Sequence, residues 1–302
     1  METNFQKHIL ISGGAGFIGS HIVDALVNLG AKVFCIDDCS APQNENFRWN
    51  HNATNITCDI RSEYTQPYYE GVDVVFHLAA RSRIQPTVGN PSEAFSVNVI
   101  GTQTVLEYAR LAGVKRVVYS GSSSYYGNVN TPPFKETMGH GCATPYSLSK
   151  WQGEQICELY TKLYGLSTIS LRYFNVYGPY EPLKGEYAPV MGLFKKQQKD
   201  GLPMTVVGDG EQRRDFTYIR DVVKANIIAA EKHDVCGIVN IGTGRNYSIN
   251  DISKMIGGNS PNVTFSPERI GETRITLADV ARAREELGWV AETHLENVIK
   301  EY

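Results

Sequence analysis

The chain has 302 residues, of which 42% are hydrophobic and 20% are charged, and its formal net charge is −3. A chain of this length can bury one large core or two modest ones, and its charge gives no electrostatic basis for binding nucleic acid or an anionic membrane. It contains neither a spanning segment of roughly 20 apolar residues nor a signal peptide, so we expect a cytoplasmic protein. The six cysteines show no Cys-x-x-Cys pair and no clustering with histidine. We therefore expect reduced thiols and no metal site.

The first element in chain order is a short apolar run at residues 9–11, which predicts a buried strand. Three glycines follow at a spacing of three residues, and the apolar residues after them recur at helical spacing. A strand, a glycine turn and a helix N-terminus together form an anion site, because free backbone N–H groups and the helix dipole point at one spot. The spacing is a variant of the dinucleotide fingerprint, so we expect a nucleotide to contact Gly13, Gly16, Phe17, Ile18 and Gly19.

The second strand, predicted at residues 32–36, ends in two acids, Asp37 and Asp38, with Ser40 close behind. A carboxylate at this place can accept hydrogen bonds from both ribose hydroxyls of an adenosine. A 2′-phosphate would meet two carboxylates with no nearby arginine, so the sequence favours NAD over NADP. The alternative role for this acid is to cap a helix. We expect all three side chains to contact NAD.

The third and fourth strands, predicted at residues 54–58 and 72–77, end in residues suited to the same cofactor. Small residues after a strand let the backbone lie close against a planar ligand. Residues 93–112 have helical periodicity, and residues 114–119 predict a fifth strand with a serine-rich turn after it. The further cofactor contacts that we expect from these segments are Asp59, Ile60, Leu78, Ala79, Ala80, Asn98 and Ser120.

Strand and helix patterns alternate up to a helix at about 146–164 and a sixth strand at 167–172, which predicts a parallel sheet covered on both faces. The alternation fails from about residue 176, but we expect the helix at 221–232 and the strand at 238–241 to rejoin the first domain. The prediction is an α/β fold with a doubly wound parallel Rossmann sheet and a smaller α/β substrate domain. Their predicted extents are 1–175 plus 216–243 and 176–215 plus 244–302. The ligand should lie between them, beyond the carboxyl ends of the strands.

The pair Tyr146 and Lys150 lies four residues apart, and therefore on one face of the predicted helix. A phenol with a pKa near 10 is a poor base at neutral pH, but a nearby ammonium group stabilises the phenolate and lowers that pKa. Lys150 could also hold the hydroxyls of the nicotinamide ribose. Ser122, at the end of the fifth strand, could hydrogen-bond the same substrate hydroxyl as Tyr146. These three residues are the predicted catalytic set.

With these residues in place, the sequence resembles the extended short-chain dehydrogenase/reductase family, in its branch of nucleotide-sugar epimerases and dehydratases, over nearly the whole chain. Beyond the glycine triplet and the Tyr-x-x-x-Lys pair, the resemblance rests on residues 98–102 (NVIGT), 171–179 (LRYFNVYGP), 208–216 (GDGEQRRDF) and 269–272 (RIGE). It implies NAD as cofactor, with Tyr173 and Val176 added to its site. It also implies that the nucleotide and pyrophosphate of the substrate contact Asn175, Arg214, Arg269 and Glu272. Two arginines suit a pyrophosphate, and a carboxylate suits ribose hydroxyls.

The resemblance implies a shared first step, in which Tyr146 takes the proton of the sugar 4-hydroxyl while hydride leaves C4 for NAD⁺. Dehydratases and decarboxylase-like members carry acidic residues just after the serine position, because elimination needs an acid and a base. Here the next two residues are Ser123 and Ser124, which disfavours elimination. The expected reaction is therefore rotation of the 4-keto sugar and return of hydride to its other face, which is 4-epimerisation.

The block around Asn175 resembles that of UDP-hexose and UDP-N-acetylhexosamine 4-epimerases, whereas UDP-glucuronate 4-epimerases more often carry threonine there. The stretch Arg81 to Pro86 departs from the familiar epimerases, and Arg83 could favour an acidic sugar. The alternatives are thus a UDP-glucuronate 4-epimerase, or a dehydratase, decarboxylase or 4-ketoreductase of the same family. A non-catalytic NAD-binding regulator is a further class, but such proteins usually lose the tyrosine or the lysine.

Two further expectations follow from the resemblance. The residue four positions after Glu272 should lie beside the C2 substituent of the sugar, and it is Thr276, which is small enough to admit an N-acetyl group and could hydrogen-bond its carbonyl. The substrate contacts expected in all are Arg83, Ser122, Ser123, Tyr146, Asn175, Arg214, Arg269, Glu272 and Thr276. Helices 93–112 and 146–164 should pair with their two-fold mates in a homodimer, through Val97, Ile100, Val105, Leu106, Ile156, Leu159 and Leu163.

Overall fold

The structure is a computed structural model, and it describes residues 5–41, 47–183, 188–269 and 271–300. Its strands are β1 (His8–Ser12), β2 (Lys32–Asp37), β3 (Thr54–Thr57), β4 (Val74–His77), β5 (Arg116–Ser122), β6 (Ser167–Tyr173), β7 (Val176–Tyr177), β8 (Met204–Val207), β9 (Arg213–Arg214), β10 (Thr217–Tyr218), β11 (Gly237–Ile241), β12 (Tyr247–Ser248) and β13 (Val263–Ser266). Its α-helices are α1 (Phe17–Asn28), α2 (Ile84–Gly89), α3 (Pro91–Phe95), α4 (Gly101–Leu111), α5 (Pro145–Tyr164), α6 (Val190–Lys199), α7 (Ile219–Glu231), α8 (Ile249–Gly257) and α9 (Leu295–Val298). Short 3₁₀ turns cover Glu63–Tyr69 and Ser123–Tyr126, and π turns cover Ser96–Ile100 and Ala283–Leu287.

Seven strands form one parallel sheet in the order β11-β6-β5-β4-β1-β2-β3. The order reverses direction at β1, because the chain first adds β2 and β3 on one side and then β4, β5 and β6 on the other. A crevice therefore opens at the carboxyl ends of β1 and β4, where such sheets bind their ligands. This architecture confirms the predicted doubly wound parallel sheet.

Each face of the sheet is covered by its own apolar core. On one face, α1 and α7 pack with residues such as Ile22 and Val222 against Ile9 and Ile11 of β1. On the other face, α4 and α5 pack with residues such as Leu106 and Cys157, while Leu10 points the opposite way from its neighbours in β1. Strands with both faces buried are continuous apolar runs, which is why these strands were predictable from sequence.

A third core lies outside the main sheet, around Phe194 of α6 and Ile252 of α8. It is bordered by two small sheets, in which β8 pairs in parallel with β13 and β9 pairs antiparallel with β12. Between these segments the chain returns to the main sheet, where β11 pairs with β6. The exact division of the chain into two domains stays a prediction.

The helical stretch predicted at 93–112 is divided into α3, the π turn at Ser96–Ile100 and α4. Val105 and Leu106 lie in the core of the single chain, and Val97 is also buried, so these three were wrongly assigned to a surface between subunits. Ile156 is half-buried. Ile100, Leu159 and Leu163 remain exposed, at 55%, 49% and 63% of their surface. Within the described ranges, every helix is too short or too polar to cross a membrane.

Candidate active site

A cavity of about 510 Å³ opens at the carboxyl ends of the central strands and extends toward the third core. Its wall brings together the glycine turn, the predicted catalytic residues and the predicted sugar-nucleotide residues, which come from distant parts of the chain. Every site residue predicted from the sequence lines this cavity, with one exception, Asn98.

The glycine turn lies at the floor of the cavity. Gly13 has a φ of +72°, and a Cβ built there would lie 2.5 Å from the backbone nitrogen of Ala79 at the end of β4. A side chain at Gly13 would therefore push apart two strand ends that both line the cavity. Gly16 is the N-cap of α1, so the first turn of that helix presents its backbone N–H groups here. This cradle fits the pyrophosphate of a dinucleotide.

Asp37 supports the turn from the end of β2. Its carboxylate accepts hydrogen bonds from the backbone N–H of Ala15 at 3.0 Å and of Cys39 at 2.9 Å. Burial raises the pKa of this carboxyl, and these two hydrogen bonds act in the opposite direction. Each carboxylate oxygen has a second lone pair, so Asp37 can accept hydrogen bonds from ribose hydroxyls in addition to those from the turn.

Arg81 lies beside the same pocket, although the sequence predicted that no arginine would be near the two acids. Its Nη1 atom donates to the Ser40 hydroxyl at 2.8 Å and to the Ser40 carbonyl at 3.2 Å. Its Nη2 atom donates to the Glu93 carboxylate at 2.8 Å. An arginine is therefore present, but its charge is paired with Glu93, and its other hydrogen bonds go to Ser40, which is itself bonded to Asp38. The preference for NAD follows from this neutralised arginine rather than from the absence of one.

Asn98 was predicted to touch the cofactor, but it lies behind the cavity wall and is only 1% exposed. Its side-chain oxygen accepts from the Arg81 backbone N–H at 2.7 Å, and its amide donates to the Arg81 carbonyl at 3.1 Å and to the Ser149 hydroxyl at 2.9 Å. Asn98 therefore fixes the backbone of Arg81 from behind. A prediction from motif alone cannot distinguish a contact residue from one that supports a contact residue.

Tyr146 is positioned by the start of α5. Thr144 caps the helix and forms a reciprocal capping box with Ser147, and Pro145 occupies the first helical position. Tyr146 therefore lies in the first turn, and Lys150 lies one turn later on the same face. Burial raises the pKa of Tyr146, while a hydrogen bond with Ser122 and the positive charge of Arg83 lower it. The charge acting on the phenol thus comes from Arg83, whereas the sequence predicted that it would come from Lys150.

Lys150 is 4% exposed, and its Nζ atom lies 4.4 Å from the centroid of the Tyr119 ring. Burial lowers the pKa of this ammonium group to about 8, against the opposing effect of the Glu154 carboxylate. Glu154 is itself held by Arg172, with 2.7 Å between Oε2 and Nη2 and both side chains only 1% exposed. The Glu154 carboxylate, itself paired with Arg172, therefore favours the protonated form of Lys150.

The serine turn after β5 supplies hydroxyl groups only. The hydroxyls of Ser122 and Ser124 lie 2.8 Å apart, and both residues line the cavity with Ser123. A serine hydroxyl donates and accepts hydrogen bonds, but it is not an acid or a base at neutral pH.

The far end of the cavity carries the predicted nucleotide contacts. The Glu272 carboxylate lies between two guanidinium groups, 3.6 Å from Nη2 of Arg214 and 3.7 Å from Nη1 of Arg269. Burial lowers the pKa of Arg214, and the charge of Glu272 raises it. Two guanidinium groups around one carboxylate suit the binding of a pyrophosphate.

Several lining residues were missed by sequence reasoning, namely Phe47, Pro182, Ala188, Pro189, Leu193, Thr205, Val207 and Gln212. Most are apolar residues from irregular segments or from the short strand β8, and no local pattern marks them as functional. Gln212 is the informative one, since its Oε1 atom is buried and has no hydrogen-bond partner among the described residues. Its place in the block at residues 208–216 could have identified it. Throughout the part of the chain that the structure describes, no group of histidine, cysteine, aspartate or glutamate side chains is arranged to hold a metal ion.

Comparison with known proteins agrees with this geometry. Residues 9–242 match the model of the NAD dependent epimerase/dehydratase family. The UDP-glucose 4-epimerase of Mycolicibacterium smegmatis is 35% identical over 290 residues, which cover 93% of this chain and 92% of that protein.

Two solved structures are similar over almost the whole chain. The UDP-N-acetylglucosamine 4-epimerase of Methanobrevibacter ruminantium, in complex with UDP-N-acetylmuramic acid, is 32% identical with a TM-score of 0.92, covering 98% of this chain and 96% of that one. The UDP-glucose 4-epimerase of Thermotoga maritima, with UDP-glucose, is 35% identical with a TM-score of 0.90, covering 97% and 96%. Relatives with different sugars thus share this fold at similar identity.

Proposed function

The chain belongs to the NAD-dependent epimerase/dehydratase family, and from this membership we propose that it interconverts the two C4 epimers of a UDP-hexose. Its cofactor is NAD, and its relatives act on UDP-sugars. The observation that carries the proposal is the cavity wall itself, which contains Tyr146, Lys150 and Ser122, and in which the two residues directly after Ser122 are serines.

Each catalytic side chain has a distinct part in this reaction. NAD, when bound, supplies the acceptor for the C4 hydride and returns it at the end. Tyr146 removes the proton of the 4-hydroxyl and later gives a proton back to the same oxygen. Ser122 hydrogen-bonds that oxygen and the phenol together, which keeps the proton path short. Lys150 would hold the hydroxyls of the nicotinamide ribose, which would orient the hydride acceptor toward C4 of the sugar.

The serine turn decides between reaction classes. Loss of water or of carbon dioxide from an oxidised sugar needs an acid or a base near C5 and C6. By resemblance to the family, Ser123 and Ser124 correspond to the positions of such groups; both line the cavity, and neither ionises at neutral pH. Return of the hydride to the opposite face of the sugar is the outcome that these residues support.

The sugar nucleotide is proposed to lie along the rest of the cavity. Arg214 and Arg269 pair with the pyrophosphate, and Glu272 accepts the ribose hydroxyls of the uridine. Asn175 and Thr276 lie beside the sugar, where the small threonine leaves space at C2 for either a hydroxyl or an N-acetyl group. The proposed substrates are UDP-glucose and UDP-galactose together with their N-acetylated forms.

A second candidate, 4-epimerisation of UDP-glucuronate, is favoured by Arg83. This guanidinium lines the cavity, and its charge acts on the Tyr146 phenol. The carboxylate of a hexuronate is bonded to C5, next to the reacting carbon. A guanidinium placed near Tyr146 is therefore suited to pair with that carboxylate.

The test is incubation with UDP-glucose, UDP-N-acetylglucosamine and UDP-glucuronate in deuterated buffer, with products identified by NMR. The proposal expects C4 epimers, no deuterium at C5 and no lasting rise in NADH absorbance. A 4-keto-6-deoxy product, or deuterium at C5, would instead place the protein among the dehydratases. If Arg83→Gln reduces turnover of UDP-glucuronate but spares UDP-glucose, the second candidate is the better one.

A further inference from the structure

A chain of polar contacts crosses the rim of the cavity at the end where adenosine is expected. Its central member is Arg81, which donates 2.8 Å hydrogen bonds to the Ser40 hydroxyl on one side and to the Glu93 carboxylate on the other. Ser40 in turn donates from both its backbone nitrogen and its hydroxyl to Asp38. These contacts join residues 38–41, directly after β2, to α3, which is far from them in sequence.

The chain continues beyond Glu93. The second oxygen of Glu93 lies 3.5 Å from Nη1 of Arg61, and Arg61 donates to the Asp59 carboxylate at the end of β3. The ends of β2, β3 and β4 are therefore all connected through Glu93 and the two arginines. Asp38, Ser40, Asp59 and Arg81 line the cavity, whereas Glu93 does not.

Arg81 is held in this position both by its backbone and by its side chain. Asn98 fixes its backbone through both its N–H and its carbonyl group. Its side chain is 24% exposed, so the bridge runs along the outer edge of the cavity rather than across its floor. The bond to Glu93 also lowers the pKa of that carboxyl, so the pair stays charged at neutral pH.

We propose that Arg81 is a cofactor-retention residue, which ties Ser40 to Glu93 and thereby holds residues 38–41, directly after β2, against the adenosine half of NAD. Release of NAD then requires residues 38–41 to move, and the movement breaks hydrogen bonds made by a charged group. Such bonds are stronger than neutral ones. Arg81 slows release through this bridge, whereas the glycine turn and Asp37 bind the dinucleotide itself.

Retention of NAD has a consequence for catalysis, and this consequence rests on the proposed function. The reaction removes one hydride and returns it within a single cycle. Loss of the reduced cofactor in mid-cycle would leave an oxidised sugar with nothing to restore it. If the Arg81 bridge stays intact for a whole catalytic cycle, the reduced cofactor remains bound until the hydride is returned. Release of NAD itself can be measured with no sugar present, so the inference about Arg81 can be judged separately.

The test measures how fast NAD leaves. Protein loaded with adenine-labelled NAD is freed of excess ligand and then chased with unlabelled NAD, and the label that remains bound is followed over time. Arg81→Gln should release NAD about tenfold faster or more, in line with the loss of charge-assisted hydrogen bonds. Arg81→Lys should recover part of the retention, because an ammonium group can reach one of the two partners.

Glu93→Gln is the decisive second variant, because Glu93 does not line the cavity and reaches it through Arg81 on one side and through Arg61 and Asp59 on the other. It should also speed release, and the double variant should release NAD no faster than Arg81→Gln alone, since both changes break one bridge. Arg110→Gln is the matched control. It breaks an Arg–Glu pair of similar exposure, with 2.6 Å between Nη2 and Oε1, on a helix away from the cavity.

Three outcomes would overturn the inference. One is release at the wild-type rate from both Arg81→Gln and Glu93→Gln. Another is equal acceleration by Arg110→Gln, which would show a general loss of stability. The third is an unchanged release rate together with a gain of NADP binding, which would make Arg81 a residue that discriminates at the ribose. If Arg81→Gln fails to fold, Glu93→Gln and its control still decide the question.

Discussion

The Thr276 hydroxyl donates a hydrogen bond to the side-chain oxygen of Asn175 at 3.3 Å, and it accepts one from the backbone N–H of Asp215 at 3.1 Å. The sequence suggested that this hydroxyl would bind the carbonyl of an N-acetyl group, but its proton is already directed to Asn175. We therefore propose that Thr276 contributes space for the sugar rather than a hydrogen bond, since its side chain is short and lines the cavity.

Thr276→Tyr should abolish activity on the N-acetylated UDP-sugars and spare the plain ones. The added ring fills the space beside C2, and the loss in kcat/KM should be on the order of 100-fold or more. Rates on UDP-N-acetylglucosamine and UDP-glucose give the ratio that matters. Thr276→Ser is the control, because it keeps the hydroxyl and leaves the space open. Unchanged selectivity in the tyrosine variant would place the C2 substituent elsewhere.

Tyr146→Phe should lower kcat by roughly 10²- to 10⁴-fold, which is the usual contribution of a general base. The ring remains, so NAD should still be retained. Steady-state turnover and the amount of bound NAD are measured on the same preparation. Tyr64→Phe, at a tyrosine that is 77% exposed, should behave as wild type. Near-normal turnover by Tyr146→Phe would contradict the mechanism.

Ser122→Ala should move the acidic limb of the pH–rate profile to higher pH. Ser122 lowers the pKa of Tyr146, so its loss lets burial raise that pKa further. The active form of Tyr146 is deprotonated, and a higher pKa means that this form is reached only at a higher pH. The kcat/KM profile of Ser124→Ala is the comparison, because Ser124 contacts the Ser122 hydroxyl. An unshifted limb in Ser122→Ala would show that Ser122 does not act on the phenol.

The affinity for NAD should fall as the pH rises through about 8, the value to which burial lowers the pKa of Lys150. The protonated form binds the ribose hydroxyls, so affinity is constant below this pH and declines above it. Calorimetric titration between pH 6 and 10 gives the profile. Lys150→Met should bind NAD weakly with a flat profile over the same range. A flat profile in the wild-type protein would rule out the ammonium group as the ribose contact.

The exposed apolar side chains on α4 and α5 still predict a homodimer. Ile100, Leu159 and Leu163 are exposed, and Leu111 and Tyr164 lie exposed at the ends of the same helices. A stable interface of this kind buries about 1,600 Å². Sedimentation at micromolar concentration should show a dimer for the wild type and a monomer for Leu163→Glu. Val129→Glu changes another exposed apolar residue, away from these helices, and it should stay dimeric. A monomeric wild-type protein would contradict the predicted homodimer.

The core of this fold was predictable because its signals are local. The run at residues 9–11 had to be buried, since three consecutive apolar residues with glycines after them leave no polar face. The paired residues Tyr146 and Lys150 needed only helical spacing. The capping box at Thr144 confirms the start of that helix within one residue of its predicted position.

What the sequence did not reveal depends on contacts between distant segments. The π turn at Ser96–Ile100 has no periodicity of its own, and it lies where Asn98 reaches both Arg81 and Ser149. The bridge from Arg81 to Glu93 likewise depends on how the segment after β4 meets α3. A single sequence gives residue types along one line, and it does not show which charges will be neutralised by a neighbour.

The pairing of β8 with β13 has a consequence for how the chain is made. β13 is synthesised long after β8, and β11 emerges between them to complete the main sheet. A nascent chain that ends after β11 thus holds all seven strands of the large sheet, while β8 has no strand beside it. An unpaired strand offers its free backbone groups to other chains. During translation the smaller part of the molecule is therefore the segment most in need of chaperone protection.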